Sequence, residues 1–193
     1  MLLSECANVR SGLLLSRKLA KTQARSVKTY KQLTLKSINA DGTVNKDLLE
    51  YFPASEVLSS SYLTREGDVI VRLTEPYTAV SITEDLENLV IPSHFIAIRP
   101  DSEILLPDFF AWLLNDDCFK QQIKKQESGS VLSLMKRSNY ENLNIELLPL
   151  DKQKIISDIN RLSLMEASLY KRMAEEKIKL AKAINKSIYN KEK

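Results

Sequence analysis

Glycine, proline, cysteine and histidine are all scarce in this chain. Its 193 residues include four glycines, six prolines, two cysteines and one histidine. So little glycine and proline excludes collagen-like, low-complexity and linker-dominated architecture. Cys6 and Cys118 lie far apart, and neither has a Cys or His at metal-binding spacing. A disulfide framework and a zinc site are not expected, and a reducing, cytoplasmic location fits. The acidic pairs Glu84-Asp85 and Asp116-Asp117 lack further ligands at metal spacing, so neither a metal nor a cofactor is expected. No Walker A loop, GxGxxG, HExxH or GxSxG motif is present. A Ser-His-Asp or Cys-His site would have to use His94, whose flanks read as a strand. A structural role or a DNA contact suits it better than general-base catalysis. No run of about 18 apolar residues is present, so no transmembrane helix is expected. Met1-Leu2-Leu3-Ser4-Glu5 has neither the basic start nor the long apolar stretch of a signal peptide.

What remains is ordinary in amount and uneven in distribution. Apolar residues make up 44% and charged residues 27%, which supports a folded core. The length allows one domain, or one domain with a long helical appendage. The net charge of +3 is small. Residues 1–40, however, carry eight basic side chains against Glu5 alone, a net +7, whereas residues 41–117 sum to −11. Residues 118–150 sum to +2 and residues 151–193 to +5. A basic stripe of this kind attracts a phosphate backbone, although it also serves simply to solubilise an exposed loop.

The pattern reads as α+β. Residues 2–7 suit a short helical turn and 9–15 a strand interrupted at Gly12. Residues 16–29 form a long, polar, basic loop. Residues 30–38 alternate as a strand before the turn Asn39-Ala40-Asp41-Gly42. The Arg65–Asp68 turn leads into a strand over 69–73, with 79–82 as its hairpin partner. Residues 89–99 read as a further strand closed by Pro100. Pro107 opens a helix, a second helix covers 116–127, and a turn of helix covers 136–142. Residues 132–135 and 143–147 alternate like short strands.

After Pro149 the chain has no Gly or Pro. Asp151 is a plausible N-cap. Apolar residues then recur at Ile155, Ile159, Leu162, Met165, Leu169, Met173, Leu180, Ala181, Ile184 and Ile188. Spacings of three and four place them on one helical face over 152–190, about 58 Å of helix. That exceeds the diameter of a domain of about 150 residues. The face either packs in part on its own domain or, as the length favours, pairs with a second helix in a parallel or antiparallel coiled coil, most simply from a second copy of the chain.

The order of these segments resembles one half of the DNA specificity subunit of type I restriction-modification systems. Val9-Arg10-Ser11-Gly12 resembles the family's opening (I/V)xxG. Residues 30–42 resemble its yxxltlxxIxxdG strand, and Leu63-Thr64-Arg65-Glu66-Gly67-Asp68-Val69-Ile70 its lLxxGDil segment. Ile98-Arg99-Pro100 with Leu106 to Leu114 resembles lRP…xxxYlayyL. Ser128-Gly129-Ser130, Leu134 and Leu143-Asn144-Ile145 resemble its GS…l…L..l.i stretch. Leu148-Pro149-Leu150-Asp151-Lys152-Gln153-Lys154-Ile155-Ile156 resembles lPPLxEQxkI, the entry to the family's long helix. Leu148 replaces one proline of that motif and Lys152 its glutamate.

The resemblance implies a strand-rich target recognition domain over 1–148 and a long dimerisation helix over 149–193. Full specificity subunits carry two of each, so two copies would pair antiparallel through the seam residues above. They would read a split inverted repeat in double-stranded DNA. The chain itself would be non-catalytic and would position a DNA methyltransferase (modification) subunit and a restriction subunit. Arg17, Lys18, Lys21, Gln23, Arg25 and Lys28 in the first loop are its candidate DNA contacts. Arg72 and Tyr77 at the hairpin tip, and Lys136, Arg137, Ser138 and Asn139, complete the set. Gly12, Gly67 and Gly129 are expected to serve turns. Two other classes stay open: a coiled-coil adaptor with protein partners only, and an enzyme built around His94.

Overall fold

The computed structural model describes residues 1–22, 25–125 and 136–191. The elements run α1 (Leu3–Cys6), β1 (Ala7–Ser11), β2 (Lys28–Gln32), β3 (Glu50–Ala54), β4 (Val69–Arg72), β5 (Ala79–Ser81), β6 (Phe95–Pro100), α2 (Pro107–Asn115), α3 (Asp117–Lys125), α4 (Arg137–Glu141) and α5 (Leu150–Lys191). The chain divides into two compact units, Met1–Lys154 and Ile155–Lys193. No helix among the described residues is long and apolar enough to cross a membrane.

A four-stranded antiparallel sheet, β1-β6-β4-β5, organises the first unit. Its central strands are buried on both faces, as expected for β-branched and aromatic runs such as Val69-Ile70-Val71 and Phe95-Ile96. One face supplies Ile70, Val80, Phe95 and Ala97 to a cluster completed by Leu33, Ile38, Leu86, Leu89 and Ile91. By the two-residue period the opposite face carries Val69, Val71, Ile96 and Ile98. α2 packs against β4 and β5. Its last residue, Asn115, accepts a hydrogen bond from Ala79 N (3.0 Å) and donates to Ala79 O (2.7 Å). That side-chain amide occupies the outer edge of β5, where no further strand pairs among the described residues.

Two glycines are dictated by geometry. A Cβ on Gly12 would lie 2.1 Å from Pro92 O, inside any permitted contact. Gly67 has φ +79° in the Arg65–Asp68 turn, a left-handed conformation that glycine adopts without strain.

Several strand boundaries differ from those expected. The strand expected over 30–38 is displaced to Lys28–Gln32, because Thr34 and Ser37 exchange side-chain-to-backbone hydrogen bonds at 2.9–3.0 Å and close a turn. The basic loop is correspondingly shorter at its C-terminal end. β3, Glu50-Tyr51-Phe52-Pro53-Ala54, has no counterpart among the expected strands. The strand expected over 89–99 is broken at Pro92, where Phe95 N bonds Pro92 O at 3.0 Å, and only Phe95–Pro100 is continuous. The alternation over 143–147 yields one bridge, Leu2 with Asn144, and no strand. The strand expected over 132–135 and Gly129 lie outside the described residues.

α5 begins one residue before the expected N-cap, so Asp151 lies in its first turn, where a carboxylate complements the helix dipole. Gln153 is fully buried. Its Oε1 accepts from Leu106 N (2.8 Å), and its Nε2 donates to Ile104 O (2.9 Å) and Leu148 O (2.8 Å). One amide thus satisfies three backbone groups and fixes the start of the helix to the loop before α2. Within the second unit every apolar residue of the expected seam from Ile155 to Ile188 is at least 48% exposed, Ala181 also being exposed.

Candidate nucleic-acid interface

β1 and β4 both run toward one end of the four-stranded sheet. Ser11 pairs with Ile96, and Gly12 N then bonds Phe95 O at 3.1 Å. Arg72 closes β4 opposite Phe95. The basic N-terminal segment leaves from this end, and the β4–β5 turn and His94 lie here too.

The segment does not remain a free loop. Leu13 N bonds Ile91 O (2.7 Å), Leu19 bridges to Ala54, and β2 pairs with β3. The β2–β3 ribbon has two unlike faces. Tyr30 and Phe52 oppose each other and are buried with Leu13, Ala54, Leu58 and Val90. The Tyr30 hydroxyl accepts from Leu58 N at 3.1 Å. The other face presents Thr29 opposite Pro53 and Lys31 opposite Tyr51. Lys31 is exposed, and Tyr51, at 72%, is the most exposed large apolar side chain among the described residues.

The cations of this region are mostly unpaired. Lys18 binds Glu56 at 2.6 Å. Arg17, Lys21, Arg25, Lys28 and Lys31 are exposed and have no ion-pair partner among the described residues. Lys28 places its ammonium 4.8 Å from the centre of the Tyr30 ring. Gln23 lies outside the described residues. Arg72 is half-buried and donates Nε to Thr74 Oγ1 at 2.8 Å. Tyr77 has φ +55° and is buried, so its ring is turned into the protein and not toward solvent at the hairpin tip. His94 stacks tilted on Phe95, 4.6 Å between centroids, and its Nε2 is buried without a partner. Burial, and secondarily the Arg72 cation, push its pKa below the usual imidazole value.

The other end of the sheet is built differently. Asp68 is fully buried and accepts from Arg10 Nη2 (3.1 and 3.2 Å), Arg99 Nε (2.8 Å) and Arg65 N (3.0 Å). Burial lowers the Arg10 pKa and outweighs the opposing pull of Asp68, but a guanidinium stays charged at neutral pH. α4 contacts α1, which leads into the Ala7 end of β1. Lys136, Arg137, Ser138 and Asn139 therefore sit at the sheet end opposite Arg72. Arg137 is paired within its helix to Glu141 at 2.7 Å. The eleven candidate contacts among the described residues thus fall into two places, with Arg72 and Tyr77 at the sheet end from which the segment carrying Arg17, Lys18, Lys21, Arg25 and Lys28 leaves, and residues 136–139 at the other. Lys31 and Tyr51 joined the first group only through strand pairing across about 20 residues, which no local pattern signals.

No protein-family model matches the sequence, and no curated protein does. Solved structures do match. The HsdS subunit from Thermoanaerobacter tengcongensis superposes with a TM-score of 0.68 at 18% identity, over 91% of this chain and 44% of that one. The chain has the fold of part of an HsdS subunit. A second structure, described as showing complex assembly and conformational transition of the type I R-M system, superposes with a TM-score of 0.69 at 19% identity. It too is covered over 44% of its length. The HsdS-like chain therefore spans less than half of each neighbour. In this chain the fold is α+β, with antiparallel sheets, short helices and a long C-terminal helix.

Proposed function

We propose that this chain is a non-catalytic, sequence-specific DNA-recognition subunit of a type I-like restriction-modification complex. The HsdS-like fold over 91% of the chain carries this reading. The five exposed cations on β2 and in the segment leading into it, which have no ion-pair partner among the described residues, support it, because a duplex supplies the countercharge. Two copies pair antiparallel through the exposed seam of α5, and the resulting two-fold axis matches a split inverted repeat. Methyl transfer and cleavage belong to the modification and restriction subunits that the dimer positions on DNA.

The function is tested by selection from a randomised duplex pool, using the chain alone and with a type I modification subunit. Enrichment of a split inverted repeat supports it. No retention in either format, even at low salt, would favour a coiled-coil adaptor that binds protein only. Dimerisation is tested separately. Leu169→Glu places an uncompensated charge in the seam and should give a monomer by sedimentation. An unchanged dimer mass would remove the seam from the interface.

A further inference from the structure

We infer that the outward face of the β2–β3 ribbon is the element that enters the DNA groove, with Lys31 holding a phosphate and Tyr51 contacting base edges. This rests on the DNA-recognition reading above. A tyrosine at 72% exposure and a lysine directly opposite it contribute nothing to the core. Their immediate strand neighbours do the reverse, since Tyr30 and Phe52 are buried and Tyr30 is tied to Leu58 N. The ribbon is therefore a rigid platform whose outer side chains are free to meet a partner, and little order is lost on binding.

Size and charge together specify the occupant. Two strands about 4.8 Å apart and about 17 Å long fit a major groove about 12 Å wide. Arg17, Lys21 and Arg25 lie in the segment leading into β2, and Lys28 and Lys31 lie on β2 itself; none of the five has an ion-pair partner among the described residues, so the complement is polyanionic. Within that setting the two side chains differ in kind. An ammonium is a point charge that any phosphate satisfies and carries no sequence information. A phenol has a flat apolar ring and a hydroxyl that both donates and accepts, so it distinguishes base edges.

The test uses the full chain, alone and with a modification subunit, on the duplex pool and on any duplex enriched from it. Lys31→Ala should weaken binding to all duplexes about equally and reduce the slope of log affinity against log salt by about one. Tyr51→Ala should keep the slope and change or blur the enriched sequence, with a loss of about tenfold or more on the wild-type duplex. Both positions are exposed, so both variants should melt with the wild type. Lys31→Gln provides a second, milder variant with the same expected slope change. If the wild type selects a sequence and all three variants select it with unchanged affinity and slope, the ribbon is not the reading element, while the recognition function stands. If the wild type retains no duplex under any condition, the recognition function fails and the ribbon has no DNA to enter.

Discussion

The two ends of the central sheet handle positive charge in opposite ways. At one end Arg10 and Arg99 converge on the buried Asp68, which also caps the Gly67 turn through Arg65 N. At the other end five exposed cations have no ion-pair partner among the described residues. Both groups appear in the sequence as scattered Lys and Arg. The difference shows that a basic residue is informative about a partner only after its own chain has been checked for a counterion. Arg10 contributes to the +7 of the N-terminal segment but is used internally. Arg25 and Lys31 are not.

The largest effect that would sharpen this contrast is expected at the paired end. Asp68→Ala leaves two arginines together without their acceptor, and should lower unfolding free energy by about 3–5 kcal/mol in urea titration. A loss below about 1 kcal/mol would show that the cluster is dispensable. At the unpaired end, Arg25→Glu should leave stability within about 0.5 kcal/mol while DNA affinity drops by about tenfold at ~0.1 M salt. Unchanged affinity at low salt would place Arg25 outside the interface. The smallest effect concerns His94, which is half-buried against Phe95 and feels the Arg72 cation. The unfolded chain takes up a proton as pH falls through about 6.5, whereas the native side chain resists it. Stability should therefore decline below about pH 6.5 and level off once native His94 is itself protonated, with no contribution above. His94→Asn should flatten that part of a melting-temperature profile between about pH 7 and 5.5. Parallel profiles would exclude the histidine as the cause.

What was legible in the sequence follows the range of the interactions. The β4–β5 hairpin, α2 with its leading Pro107, and the long α5 are set by local pattern, and they stand where the pattern puts them. β3 was invisible because Pro53 breaks its alternation and a proline is tolerated there only through its place in a two-stranded ribbon. Thr34 and Ser37 ended β2 early by bonds that apolar alternation at Leu33 and Leu35 conceals. The candidate site divides the same way. Arg17 to Lys28 were legible as a run of charge. Tyr51 was not, because its exposed place opposite Lys31 follows from a non-local pairing. Nor does sequence order show that residues 136–139 lie at the far end of the sheet.

The ribbon's two-sidedness also bears on how such a protein can change. Positions 30, 52 and 54 hold the platform together, while 29, 31 and 51 point away from it. Because neighbouring positions alternate between these tasks, outward substitutions are uncoupled from the packing beneath them. A lineage, or a library randomised at 29, 31 and 51, can therefore vary the outward surface while the scaffold stays folded. Evolvability is built into the pleat of one short hairpin-like pair.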